Sequence, residues 1–95
     1  MIRSFAKTPA KTERIWNGLR SGHLPLDVQS RALDKLKVLN RAKNLDDLRN
    51  PPGNRLHGLN DDRAGQHSIS INKQWRICFR WNDGNAYDVE IADYH

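Results

Sequence analysis

An α+β fold is predicted for this chain by a change in hydrophobic period. Helical spacing governs the first half and a two-residue alternation the second, with the breaker Asn50-Pro51-Pro52-Gly53-Asn54 between them. The expected architecture is one curved, antiparallel-dominated sheet with two N-terminal helices packed on one face, in the order β-α-α-β-β-β-β. At 95 residues the chain is long enough for one compact domain, 1–95, and too short for a second.

Residues 2–6 read as a short opening strand. Thr8-Pro9 then offers an N-cap residue and a proline suited to the first helical position. Ile15, Trp16 and Leu19 give the following helix an apolar side, and Ser21-Gly22 supplies its stop signal. A second helix is expected from around Pro25 to Asp27 until about Lys43. Its residues Val28, Ala32, Leu36 and Leu39, spaced by four, four and three, make one apolar stripe. Lys35, Lys37, Arg41 and Lys43 crowd the remainder and read as a solvated basic face. Leu45 to Leu48 add one more turn before the breaker.

Four strands are expected after it: Arg55 to Leu59, Gln66 to Asn72, Gln74 to Trp81, and Ala86 to about Ala92. Asn60 to Gly65 is a loop, and Asn82-Asp83-Gly84-Asn85 a tight hairpin turn. Alternation puts Ile69, Ile71, Trp75, Ile77, Phe79, Trp81, Tyr87, Val89 and Ile91 on one face, against the helices. The other face then carries Gln74, Arg76, Cys78, Arg80, Asp88 and Glu90, an open polar surface that no helix remains to cover.

Composition narrows the functional classes. Sixteen Lys and Arg against eleven Asp and Glu give a net charge of +5, which favours polyanionic partners because neutralised phosphates release counterions. The single Cys78 excludes an internal disulfide and a multi-cysteine zinc site. The opening residues are too short and polar for a secretory signal, and no apolar run approaches the roughly 20 residues that span a bilayer. A cytoplasmic protein without a membrane partner is expected. Nucleotide-cofactor, phosphate-loop and metal-ligand signatures are missing, and the four His match no zinc spacing, so neither metal nor cofactor is expected.

What remains is a set of ionisable residues at strand ends: His57, Arg76 and the closing Asp93-Tyr94-His95. Metal-free RNA cleavage needs a base for the ribose 2′-hydroxyl, a cation for the phosphate and an acid for the leaving 5′-oxygen. Imidazole titrates near neutrality and serves on either side of that reaction. A guanidinium offers two parallel donors to phosphate, and a tyrosine ring stacks on an unpaired base. Each residue also has a plainer reading. An arginine such as Arg76, taken alone, is more often a cross-strand partner, here of Asp88 or Glu90, and His57 reads in the same way as an exposed or structurally bonded histidine beside a turn glycine. His23 and His67 are taken as structural.

Several segments carry a family resemblance: Met1-Ile2-Arg3-Ser4-Phe5, Arg55-Leu56-His57, Gly65-Gln66-His67-Ser68-Ile69, Gln74-Trp75-Arg76-Ile77-Cys78-Phe79 and the terminal Asp93-Tyr94-His95. In combination and order the whole chain resembles HigB-type toxins, the plasmid maintenance killer branch of the RelE/ParE toxin superfamily. The resemblance implies a RelE-like fold and a metal-independent endoribonuclease, an mRNA interferase that cleaves messages in the ribosomal A site and so inhibits translation. Carried over by position, His57, Arg76, Asp93, Tyr94 and His95 form the cleft. Arg76 is then the phosphate stabiliser, Asp93 or His95 the base, and His57 or Tyr94 the group that assists the leaving oxygen.

Relatives often place a lysine shortly after the equivalent of His57, whereas this chain has Asn60. Arg55, Arg63, Lys73 and Arg80 are the alternatives for an auxiliary cation, and with Asn60 they make up the expected RNA-binding set. The resemblance further implies a HigA-like helix-turn-helix antitoxin, a ribosome and mRNA as partners, and promoter DNA bound only through the antitoxin complex. Two other classes stay open: a non-catalytic RNA- or ribosome-binding inhibitor, and a degenerate toxin that acts as corepressor with its antitoxin.

Overall fold

The computed structural model describes residues 1–8 and 11–93. Helix α1 spans Thr12–Trp16 and α2 spans Leu26–Arg41; the strands are β1 (His57–Gly58), β2 (Gln66–Ser70), β3 (Trp75–Asn82) and β4 (Asn85–Asp93). The strands form one sheet in the order β1-β2-β3-β4, every neighbour antiparallel. Both helices lie on one face, as expected.

Helix α1 is shorter than its sequence suggests. The expected start at Thr8-Pro9 falls partly outside the described residues. The observed start is Thr12, which is fully buried and accepts a 2.9 Å hydrogen bond from the Ile91 amide, fastening α1 to β4. The helix ends before Gly18, not at Ser21-Gly22. Gly18 takes φ +80° while its N–H bonds the Ile15 carbonyl and the Leu19 N–H bonds that of Arg14, the paired closure that satisfies the last carbonyls of a helix. Leu19, expected on the apolar side, lies past this closure and is 52% exposed.

Helix α2 buries the expected stripe of Val28, Ala32, Leu36 and Leu39. It also buries Gln29, whose amide donates to the Ser21 and Leu24 carbonyls and accepts from the Ser21 amide, so the interhelical connection is tied to the helix by one side chain. The basic face is not wholly solvated. Lys35 is half-buried and donates to Asn54, a fully buried residue whose own amide donates to the Leu48 and Asn50 carbonyls. The expected extra turn is a 3-10 helix, Leu45–Arg49.

Ile69, Ile77, Phe79, Val89 and Ile91 meet Ile15, Val28, Ala32, Leu36, Leu39 and Leu48 in a single apolar cluster. Asp83 and Gly84, at φ 51° and 78°, make the two-residue β3–β4 turn, closed by the Asn82–Asn85 pair. Positive φ at both central residues matches the twist of the flanking strands.

One expected core residue is on the wrong side. Register runs Cys78 opposite Glu90 but Arg80 opposite Tyr87, so β4 carries one extra residue. Asp88 absorbs it in a left-handed conformation, φ 52°, which an aspartate tolerates better than a branched residue. The alternation therefore shifts: Ala86 turns into the core opposite Trp81, and Tyr87 joins Arg80 on the polar face. The opening residues follow this bulge. They lie beside β4 in parallel orientation, touching it as isolated bridges at Ile2–Ala86 and Phe5–Val89 rather than as a continuous strand.

The polar face is not open across its middle. Ser68, Cys78 and Arg76 are buried there, and Arg76 meets Arg55 and His57 of the stretch around β1. That stretch pairs over fewer residues than expected because Arg55 has left-handed backbone, φ 49°, ψ 50°.

Candidate active site

Antiparallel register builds the site from the sheet outward. His57 on β1 stands opposite Ser68 on β2, Ser68 opposite Cys78 on β3, and Cys78 opposite Glu90 on β4, so these four share one row of the polar face. Arg76 occupies the next row, between Ser70 and Ala92. From there its side chain reaches back along the face. Nε donates to Ser68 Oγ at 3.0 Å, and Nη2 donates to the Arg55 carbonyl at 3.2 Å and lies 3.1 Å from His57 Nδ1.

The left-handed turn at Arg55 matters because its carbonyl is shared. It receives Arg76 Nη2 and also stands 3.1 Å from His57 Nδ1. One nitrogen cannot serve both neighbours alike. With its lone pair exposed, Nδ1 accepts from Arg76; with a proton, it donates to Arg55. Nδ1 is engaged with the protein in either tautomer.

Arg76 is 8% exposed. A guanidinium so placed is costly unless its donors are satisfied, and Ser68 and Arg55 meet that need at two different nitrogens. The alternative of Arg76 as the partner of Asp88 or Glu90 is not what is seen. Those carboxylates are taken by Arg80 at 3.5 Å and by Arg63, respectively.

The remaining sequence-derived candidates divide into groups. Asp93 ends β4 one residue past Ala92, the register partner of Arg76, and accepts from Gln74 Nε2 at 3.1 Å. Tyr94 and His95 lie outside the described residues. Asn60 and Arg63 line a shallow cleft with His57, Gly58, Leu59 and Asp61. Within it Arg63 is bound to Gln66 and Glu90, and the Glu90 hydrogen bond strengthens its hold on its proton. Arg80 is bound to Asp88. Arg55 and Lys73 are exposed, Lys73 in the turn between β2 and β3.

Sequence reasoning gave Ser68 no part in the site and Glu90 only that of a partner for Arg76, whereas Glu90 holds Arg63. Ser68 carried a usable signal: it occupies an even position in its strand, on the side that alternation assigns to Arg76. Cys78, in the same row, is buried, and that burial pushes its thiol pKa up against the opposing pull of Arg63.

A two-helix layer on one face of a four-stranded antiparallel sheet is a RelE-like fold. Solved structures agree on the fold. A YafQ mutant from E. coli superposes with TM-score 0.61 at 10% identity, over 98% of this chain and 93% of that one. A YoeB–YefM complex from Staphylococcus aureus superposes with TM-score 0.61 at 14% identity, over 100% and 98%.

Sequence comparison is more specific. A family model described as HigB-like toxin, RelE-like toxin of type II toxin-antitoxin system HigB, matches residues 14–95, and the chain belongs to this family. "Endoribonuclease HigB" of Proteus vulgaris is 35% identical over 95 residues, the full length of both chains. "Toxin HigB-1" of Vibrio cholerae is 41% identical over 68 residues, 72% of each chain.

Proposed function

We propose that this toxin is an endoribonuclease that cuts mRNA in the ribosomal A site without a metal, with Arg76 and His57 at the centre of its cleft. The observation that carries the reading is the 3.1 Å approach of Arg76 Nη2 to His57 Nδ1 on the polar face. That approach sets a cation and a proton-transfer group side by side.

In the proposed reaction a base removes the 2′-hydroxyl proton and the 2′-oxygen attacks phosphorus. The bond from phosphorus to the 5′-oxygen breaks, and an acid returns a proton to that oxygen. Arg76 stabilises the charge gathered on the phosphate, the kind of contribution whose loss costs about 10²–10³ in rate. Asp93 or His95 acts as base and His57 or Tyr94 as acid. Because Nδ1 of His57 is engaged with Arg76 or Arg55, its part in proton transfer runs through Nε2. Arg55, Asn60, Lys73 and Arg80 guide the RNA strand. Arg63, bound to Glu90 and Gln66, serves that set by holding the wall that carries Asn60.

As the toxin of a type II system the chain has an antitoxin partner, proposed to be a HigA-like helix-turn-helix protein through which promoter DNA is bound. Among the described residues no helix is long and apolar enough to cross a membrane.

Induction without antitoxin, followed by mapping of new RNA ends, tests the activity. Growth arrest with cuts inside translated messages is expected. Intact messages during arrest would favour an RNA-binding inhibitor instead, and undisturbed growth with soluble, folded protein would remove the toxin activity. Arg76→Ala leaves buried acceptors without their donor and is expected to lower stability as well as activity. Arg76→Lys is therefore the companion variant: it keeps a charge, loses the planar fork, and should still relieve toxicity.

A further inference from the structure

We infer that Ser68 is a positioning residue for the cleavage reaction, its hydroxyl setting the plane of the Arg76 guanidinium. The inference rests on the proposed function and gives a role to a residue to which the family resemblance assigns none.

Ser68 is fully buried in the middle of β2, flanked in register by His57 on one side and Cys78 on the other. A central strand position favours a branched apolar or aromatic residue, and an enclosed hydroxyl is costly unless it is bonded. Here it accepts from Arg76 Nε at 3.0 Å. The neighbouring hydroxyl on the same face, Ser70, is engaged elsewhere, donating to the Asn72 carbonyl at 2.9 Å in the β2–β3 turn.

A guanidinium is flat, so two anchors on different nitrogens fix its orientation where one lets it swing. Nε on Ser68 and Nη2 on the Arg55 carbonyl are two such anchors. They differ in kind. The Arg55 anchor is backbone and survives any side-chain change, whereas the Ser68 anchor is one oxygen atom. Removing it leaves Arg76 charged and held at Nη2, beside the Arg55 carbonyl and His57 Nδ1, but takes away the bond that fixes Nε and loosens the plane of the group. Transition-state stabilisation suffers from such misplacement more than binding does.

Ser68→Ala, Ser68→Thr, Arg76→Ala and the double variant Ser68→Ala with Arg76→Ala test this, with cleavage of ribosome-bound mRNA followed beside thermal unfolding. Ser68→Ala should lower kcat by about 10- to 100-fold with KM nearly unchanged. Ser68→Thr, which restores an oxygen, should recover most of the loss. In the Arg76→Ala background Ser68→Ala should cost nothing further. The Arg76 Nε–H signal in a nitrogen-correlated NMR spectrum should be protected from exchange in the wild type and lose protection in Ser68→Ala.

Full activity of Ser68→Ala, or an equal loss with and without Arg76, overturns the role of Ser68 while leaving the nuclease intact. A Ser68→Ala protein that unfolds at the assay temperature shifts the decision to Ser68→Thr and its Nε–H signal, and an unprotected signal there overturns the inference. A wild-type protein that cleaves nothing on the ribosome ends both readings together.

Discussion

Arg63, in the turn after β1, is bound to Glu90 on β4, so a single ion pair spans the polar face from the loop beside His57 to the far strand of the sheet. The side chain of Glu90 is 15% exposed and that of Arg63 37%. This puts the pair between exposed ion pairs, worth under about 1 kcal/mol, and enclosed ones, whose breakage costs about 3–5 kcal/mol. Glu90→Gln should therefore destabilise the fold by roughly 1–2 kcal/mol. It should also loosen the loop that carries Asn60. Urea unfolding gives the first quantity and amide exchange of residues 59–65 the second. Unaltered exchange in that loop would mean that Arg63 does not hold it.

Asp88 accommodates the bulge with a left-handed backbone, φ 52°. Its ion pair with Arg80 is long and exposed on both sides, so the carboxylate contributes little. The two effects separate with a pair of substitutions that both delete it. Asp88→Gly should be close to wild type in stability, and Asp88→Val should fall below Asp88→Gly by about 1–2 kcal/mol, since a branched residue resists positive φ. Thermal unfolding of the two variants decides it; equal midpoints would mean that the bulge relaxes when Asp88 is replaced.

The bulge also marks where the sequence stops being informative. The four-four-three stripe of α2 and the odd-numbered residues of β2 and β3 were legible because one period holds along each element and one face is buried. Tyr87 was not, because an extra residue in β4 reverses the parity beyond it and a bulge has no periodic signature. The end of α1 had a local signal, Asn17-Gly18, that competed with Ser21-Gly22; three further residues of helix would have displaced the Gly18 closure. Arg76 and His57 could be nominated from their chemistry. Their contact could not, since it depends on a left-handed Arg55 whose carbonyl both approach, and no side-chain pattern encodes that turn. Asp93 was placed at the strand end by the run of β4, while Tyr94 and His95 stay sequence-derived candidates.

Cys78 gives a pH-dependent prediction. Burial holds its thiol pKa above the ordinary 9.0, so the folded protein disfavours the thiolate that the unfolded chain forms readily. The resulting stabilisation is fully present below the unfolded pKa and is lost as pH rises toward the folded value. Between about pH 8 and about pH 10 the urea midpoint of the wild type, kept reduced, should drop further than that of Cys78→Ala. A native thiol that alkylates as fast as the unfolded one at about pH 8 would contradict the burial itself.

Leu36 separates loss of fold from loss of chemistry. It is fully buried on α2 within the apolar cluster that includes Ile77 and Phe79 of β3, so Leu36→Ala should cost about 2–5 kcal/mol, the range for an aliphatic core truncation. A small domain with a stability of about 5–15 kcal/mol loses a large share of it that way. Leu36→Ala should then relieve growth arrest only in proportion to the folded protein lost, and regain activity at lower temperature. Arg76→Lys, whose change lies on the opposite face of the sheet, should stay inactive at every temperature at which it is folded. Activity of Arg76→Lys that rises on cooling in parallel with Leu36→Ala would mean that the arginine acts through stability and not through the phosphate.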